Sequence, residues 1–158
     1  MAEASSDLTR LEEGVVALFA DGVKVLGLPK SVGEIYGLLY IHEEALSLDD
    51  LVERLQVSKG TASQGLKMLR TLGAVRECGL TEGRKTYYEA DVELKSLVGG
   101  FIREEIRPHL SSAKAKIGVL REEVEEGDAF LKDRVDRLDK WRAKASLLLP
   151  ILQKLLSS

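Results

Sequence analysis

One cysteine, three prolines, two histidines and an aromatic share of 5% are the scarcities of this 158-residue chain. A lone thiol, Cys78, excludes an internal disulfide, and one cysteine beside two distant histidines offers no zinc-site spacing. No metal and no cofactor is expected. The shortage of prolines and aromatics suits a mainly α-helical protein. No apolar run approaches the roughly 20 residues that cross a bilayer, and the opening MAEASSDLTR lacks the apolar core of a secretory signal, so a cytoplasmic home away from membranes is expected. Catalytic constellations are missing as well. There is no strand, Gly-rich loop and helix to cradle phosphate, no His-Glu-x-x-His, and no serine or cysteine nucleophile beside a recognisable base. The expectation is a protein without catalytic residues and without enzymatic activity.

What is present is concentrated in residues 47–90. Ser47 with Asp50 three residues on reads as a capping box, and Leu46 with Leu51 as the hydrophobic staple that accompanies one. Gln56, Val57 and Ser58 make a turn, and Ser58 is a good N-cap for a second helix over residues 59–72, with Val57 and Ala62 repeating the staple. Two helices so closely joined must cross steeply. In the second, Ala62, Leu66, Leu69 and Leu72 form the stripe that needs a core. Gly60, Ser63, Gln64, Lys67 and Thr71 lie opposite, with no acid among them, and groups of this kind hydrogen-bond base edges in a major groove. Gly73 supplies a helix stop, residues 74–78 suit a strand, Gly79 to Gly83 a turn, and residues 84–89, with Thr86, Tyr87 and Tyr88, a returning strand. The order predicts a winged helix-turn-helix with a β-hairpin wing.

Charge supports that reading. Between Ser58 and Ala90, Lys59, Lys67, Arg70, Arg76, Arg84 and Lys85 face only Glu77, Glu82 and Glu89, in a chain whose net charge is −3. A basic module in an acidic protein is the footprint of focused rather than indiscriminate nucleic-acid binding. The candidate DNA contacts are Ser58, Lys59, Gly60 and Thr61 at the start of the recognition helix, Ser63, Gln64, Lys67 and Arg70 along it, and Arg84 and Lys85 on the wing. A rival class is a winged helix that binds another protein and never DNA; long cations beside Gly83 suit phosphate better than a protein surface.

The run VSKGTASQGLKMLRTLGAVREC followed by GRKTYYEA resembles the DNA-binding core of MarR-like winged-helix regulators, and most closely the GbsR-type branch. The resemblance implies a homodimeric transcription regulator, often a repressor, whose affinity for its operator responds to a small molecule. It also makes Tyr36, Tyr40 and Trp141 worth naming as an aromatic cage for a quaternary ammonium effector, against the plainer reading of core and interface residues. Some relatives use thiols as redox sensors; Cys78 is a candidate, or else a small residue packed in the wing.

Three segments are expected. Residues 1–28 carry an N-terminal helix, with Leu8, Leu11, Val15, Leu18, Phe19 and Leu26 on one face, that packs on the C-terminal helices of its own or a second subunit. Residues 29–92 form the winged domain, opening with a helix capped by Ser31 and Glu34, in which Gly33 and Gly37 permit close contact with another backbone and His42 is helix-terminal. Residues 93–158 form an antiparallel helical hairpin for dimerisation. Pro108 is expected to bend its first helix, and Gly127 and Asp128 to separate its two arms.

Overall fold

The computed structural model describes residues 8–78, 83 and 85–157, and the chain divides after Leu97 into two compact units. In the first, helix α1 (Arg10–Val25) lies against α2 (Lys30–Ile41). Strand β1 (Leu46–Ser47) leads into α3 (Leu48–Leu55), α4 (Lys59–Thr71) follows, and β2 (Val75–Cys78) and β3 (Tyr87–Ala90) complete an antiparallel sheet in the order β1-β3-β2. The architecture is the mainly helical winged helix-turn-helix read from the sequence.

Helix α2 is the core of this unit. Val32, Ile35, Tyr36, Leu38 and Leu39 are all buried, and α1, α4 and β3 pack on the same helix. The approach of α1 depends on missing side chains. A Cβ at Gly33 would collide with the Phe19 carbonyl oxygen and come within 2.7 Å of Val23 Cγ2, and one at Gly37 would sit 3.0 Å from the Val15 oxygen. These glycines therefore lose helix propensity to admit a backbone. Within this unit the buried Val16, Ala20 and Val23 of α1 serve the α1–α2 contact, a neighbour the sequence reading did not name. One correction concerns the entry to α2. The Ser31–Glu34 capping box does not form, because the helix begins two residues earlier behind Pro29, which has no side-chain cap bond. Proline's fixed φ suits a helix entrance and leaves Ser31 inside the first turn, while Glu34 turns to Lys30 at 3.9 Å.

The α3 capping box is as read: Ser47 N–H donates to Asp50 Oδ2 at 2.9 Å and Asp50 N–H to Ser47 Oγ at 3.2 Å, with Leu46 and Leu51 both buried beside it. The turn into α4 is closed by Gln56 in the left-handed conformation (φ 54°). Helix α4 ends in a Schellman motif at Gly73 (φ 76°), where Gly73 N–H reaches the Arg70 oxygen and Ala74 N–H the Leu69 oxygen. Strand β1 was not anticipated. It is two residues long and doubles as the α3 cap, so no alternation announces it; Leu46 and Ser47 pair with Tyr88 and Tyr87. The return strand begins at Tyr87 rather than at residue 84, and the expected turn over residues 79–82 lies outside the described residues.

Asp91 closes the unit. Its N–H donates to the Ala74 oxygen at 2.8 Å, its carbonyl accepts the Tyr36 hydroxyl at 2.7 Å, and its carboxylate accepts Glu93 N–H and Ser96 Oγ–H at 2.9 and 2.8 Å. The backbone bond from Glu93, then the one from Ser96, hold the carboxyl below the usual range.

Helix α5 (Leu94–Phe101) spans the division. In the second unit, residues 102–106 form one widened turn in which Arg107 N–H reaches back to the Ile102 oxygen. Helices α6 (Arg107–Glu122) and α7 (Ala129–Ser157) then form a hairpin. Pro108, expected to bend the helix, follows this turn: it has no N–H for the Glu104 carbonyl and its ring crowds that group, which an i→i+5 turn accommodates. Gly127 (φ 89°) reverses the chain and Asp128 Oδ1 caps α7 by accepting from Leu131 N–H at 3.0 Å. Arg121 bridges the arms to Asp136 at 3.2 Å and Asp139 at 3.6 Å.

Two outcomes test this packing. Gly33→Ala meets backbone and should cost about 2–3 kcal/mol in urea unfolding, whereas Gly65→Ala in α4 meets only the end of the Ile35 side chain and, with alanine's better helix propensity, should stay within about 1 kcal/mol of wild type. Burial, and then the nearby Asp91 carboxylate, push the Tyr36 phenol up to about 12 from 10.0. A folded-state pKa above the unfolded one means that this contribution is complete below about pH 10 and is lost as pH climbs through about 12. Tyr36→Phe should cost about 1–2 kcal/mol at neutral pH by stranding the Asp91 carbonyl, and should remove a phenolate absorbance step near pH 12 from the native protein.

Candidate nucleic-acid interface

Helix α4 has a committed face and an open one. Ala62, Gly65, Leu66 and Leu69 are buried, and the absence of a side chain at Gly65 lets the helix settle onto Ile35 of α2. With that stripe anchored, the 3.6-residue period turns Gly60, Ser63, Gln64, Lys67 and Thr71 outward, and all five are exposed. Ser58 accepts from Thr61 N–H at 3.0 Å and donates to Thr61 Oγ1 at 2.8 Å, so these two hydroxyls are partly spent on the cap. A methyl group built at Gly60 meets nothing, so the fold does not demand a glycine there. Its smallness leaves the first turn of α4 bare.

Two shallow grooves flank α4. One, of about 260 Å³, is lined by Lys59 together with Ser47, Asp49, Lys85 and Tyr88; the other, of about 470 Å³, by Lys67, Arg70, Thr71, Arg76 and Glu77. The cations differ in what they face. Arg70 Nη2 lies 3.0 Å from Glu77 Oε1, Lys85 Nζ 3.9 Å from Asp49 Oδ2, and Arg76 Nε 2.7 Å from Glu89 Oε1 on the directly opposed residue of β3. The hydrogen bond from Arg76 holds the Glu89 carboxyl below its ordinary range. Lys59 and Lys67 have no ion pair among the described residues. Arg84 lies outside the described residues. The tertiary structure thus brings nine of the ten candidate contacts to the exterior of one helix-turn-helix and its wing, adds a carboxylate, Asp49, that sequence reasoning passed over, and gives Glu77, counted there only in the charge balance, to Arg70. No spacing rule links Asp49 to Lys85; only the pairing of β1 with β3 brings the start of α3 beside the wing.

The other candidates are placed differently. Tyr36 and Tyr40 join Phe19 in an aromatic cluster, with ring centroids 4.9 Å (Phe19 to Tyr36) and 6.1 Å (Tyr36 to Tyr40) apart. Tyr36 is fully enclosed and its hydroxyl is committed to Asp91. Trp141 lies on α7, in the second unit, and is 74% exposed. At Cys78, burial and the neighbouring Glu89 push the thiol up, opposite to the direction that makes a reactive thiolate. His42 Nδ1 is 2.9 Å from the Glu44 oxygen at the end of α2. Among the described residues no cluster of His, Cys, Asp or Glu is placed to hold a metal, and no helix is long and apolar enough to cross a membrane.

The fold is a winged helix-turn-helix, with this surface on its exterior. No family model matches the chain. Over 63 residues it is 36% identical to the HTH-type transcriptional repressor GbsR of Bacillus subtilis (strain 168), a stretch amounting to 40% of this chain and about a third (34%) of that relative's length. A solved structure described as a transcriptional regulator aligns with a TM-score of 0.68 over 92% of this chain and 97% of its own, at 16% identity, a likeness that carries the fold alone. The resemblance to GbsR-type regulators read from the winged-helix motifs therefore stands.

Proposed function

We propose that the protein is a transcription regulator, in the repressor mould of its relative, that binds double-stranded DNA sequence-specifically as a homodimer and catalyses no reaction. The observation that carries this reading is the acid-free outer face of α4, exposed along its length and flanked by Lys59 on one side and Lys67 on the other. In such a reading α4 enters the major groove, Ser63 and Gln64 meet base edges, and Lys59, Lys67, Arg70, Arg84 and Lys85 meet phosphate. The bare first turn at Gly60 suits close approach of the backbone to the duplex. Modulation by a small-molecule effector, and a cytoplasmic location, belong to the same inference and are carried by the resemblance.

Dimerisation is drawn from α7. Leu131, Leu138, Trp141, Leu148 and Leu152 recur at heptad spacing and remain exposed, Leu138 at 53%, while a different stripe, including Val135 and Leu149, is the more enclosed. A helix with a second apolar face suits a partner helix. Paired subunits would set two recognition helices about 34 Å apart, one turn of DNA, so that the operator is a pseudo-palindrome.

Two measurements check these readings. In fluorescence anisotropy over a salt series, affinity for duplex DNA should fall steeply; Lys59→Ala or Lys67→Ala should flatten the slope by about 0.9 per half-site, and Gln64→Ala should chiefly reduce discrimination between sequences, by about 1–3 kcal/mol. Absence of salt-dependent binding would sink the DNA reading and favour a winged helix that docks a protein. In sedimentation velocity, Leu138→Asp with Leu148→Asp should convert a dimer to a monomer; a wild-type monomer at micromolar concentration, or an unchanged double variant, would refute the α7 interface.

A further inference from the structure

Each groove beside α4 holds one lysine without an ion pair among the described residues and at least one cation tied to a carboxylate, the second groove also holding Arg76, paired with Glu89 across the β2–β3 ladder. Lys59 shares its groove with the Lys85–Asp49 pair at 3.9 Å, and Lys67 shares the other with the Arg70–Glu77 pair at 3.0 Å. Neither acid makes a helix-cap hydrogen bond or is buried. The α3 cap is completed by Asp50, leaving the Asp49 side chain 66% exposed, and Glu77 is a half-exposed residue of β2. Solvent-exposed pairs of this kind add little to folding.

We propose that Asp49 and Glu77 are specificity-determining residues. They act as intramolecular stand-ins for phosphate that occupy Lys85 and Arg70 and so suppress binding to non-cognate duplex. The inference rests on the DNA-binding reading above. Its basis is ion exchange. A lysine or arginine without a partner that meets a phosphate releases a condensed counterion, and that release drives non-specific affinity. A cation taken from Asp49 or Glu77 frees a carboxylate, which gathers a counterion in turn, so the exchange yields almost no net release. Random duplex is then gripped without the help of Lys85 and Arg70. A sequence that seats α4 fully, through base contacts at Ser63 and Gln64, brings Lys85 and Arg70 to phosphate with the difference supplied by those contacts.

The test uses the full chain with two labelled duplexes: one of mixed sequence, and one selected by the wild-type protein from a random pool. Asp49→Asn and Glu77→Gln should each raise affinity for the mixed duplex roughly threefold to tenfold near physiological salt, and steepen the slope of log affinity against log salt by about 0.9 per bound protomer. Each should also narrow the ratio between selected and mixed duplex. Lys85→Gln added to Asp49→Asn should erase the gain. Glu43→Gln, which removes an exposed charge outside both pairs, should leave slope and ratio at their wild-type values. The proposal is overturned if Asp49→Asn and Glu77→Gln keep the wild-type slope and ratio while wild type binds steeply with salt, or if Glu43→Gln produces the same change, which would reduce the effect to net charge. If wild type binds neither duplex in a salt-dependent way, the DNA-binding reading itself fails and takes this inference with it.

Discussion

The winged unit depends on how closely other backbones can approach α2. Gly33 and Gly37 let α1 lie against it at backbone distance, and Gly65 of α4 receives the Ile35 side chain. Each glycine weakens its own helix by up to about 1 kcal/mol in propensity, a loss offset by the apolar area that the tight crossings exclude from water. The orientation of α4 is a consequence. Once Ala62, Leu66 and Leu69 are committed to the core, helical periodicity leaves no freedom in where Gln64 and Lys67 point. The candidate interface is thus set by packing on the opposite side of the helix from the one that acts.

Polar groups complete what the apolar contacts begin. Asp91 receives the Tyr36 hydroxyl from α2, binds the residue that follows α4's terminal glycine, and organises the start of α5. One residue therefore ties together the core helix α2, the exit of α4 and the start of α5. Because Tyr36 is enclosed, its hydroxyl has no water to fall back on, and the bond to Asp91 resolves a burial that would otherwise be unfavourable. The same commitment makes Tyr36 a structural residue first, whatever the aromatic cluster around it meets.

The electrostatics of the surface are more restrained than its count of bases suggests. Three of its cations, Arg70, Arg76 and Lys85, face carboxylates within 4 Å, so among the described residues Lys59 and Lys67 are the cations of this surface without an ion pair. A strong unbalanced field attracts any polyanion, whereas a surface whose cations are partly paired attracts polyanions less indiscriminately.

Local signals in the amino-acid order were enough to announce the helix-turn-helix, its Ser47–Asp50 and Ser58 caps, the Gly73 stop, the close-contact glycines of α2 and the Gly127–Asp128 reversal, because each is a matter of neighbours within four residues and of one repeating period. They misjudged the entry to α2, where proline geometry outweighed a capping pattern, and missed β1, two residues whose only signature is a partner strand some forty positions away. They did not name α2 as a neighbour of α1, or reveal that Lys85 meets Asp49 and Arg70 meets Glu77. Such pairings depend on distances between elements remote in the chain, and those distances exist only once the core has closed and the sheet has chosen its register.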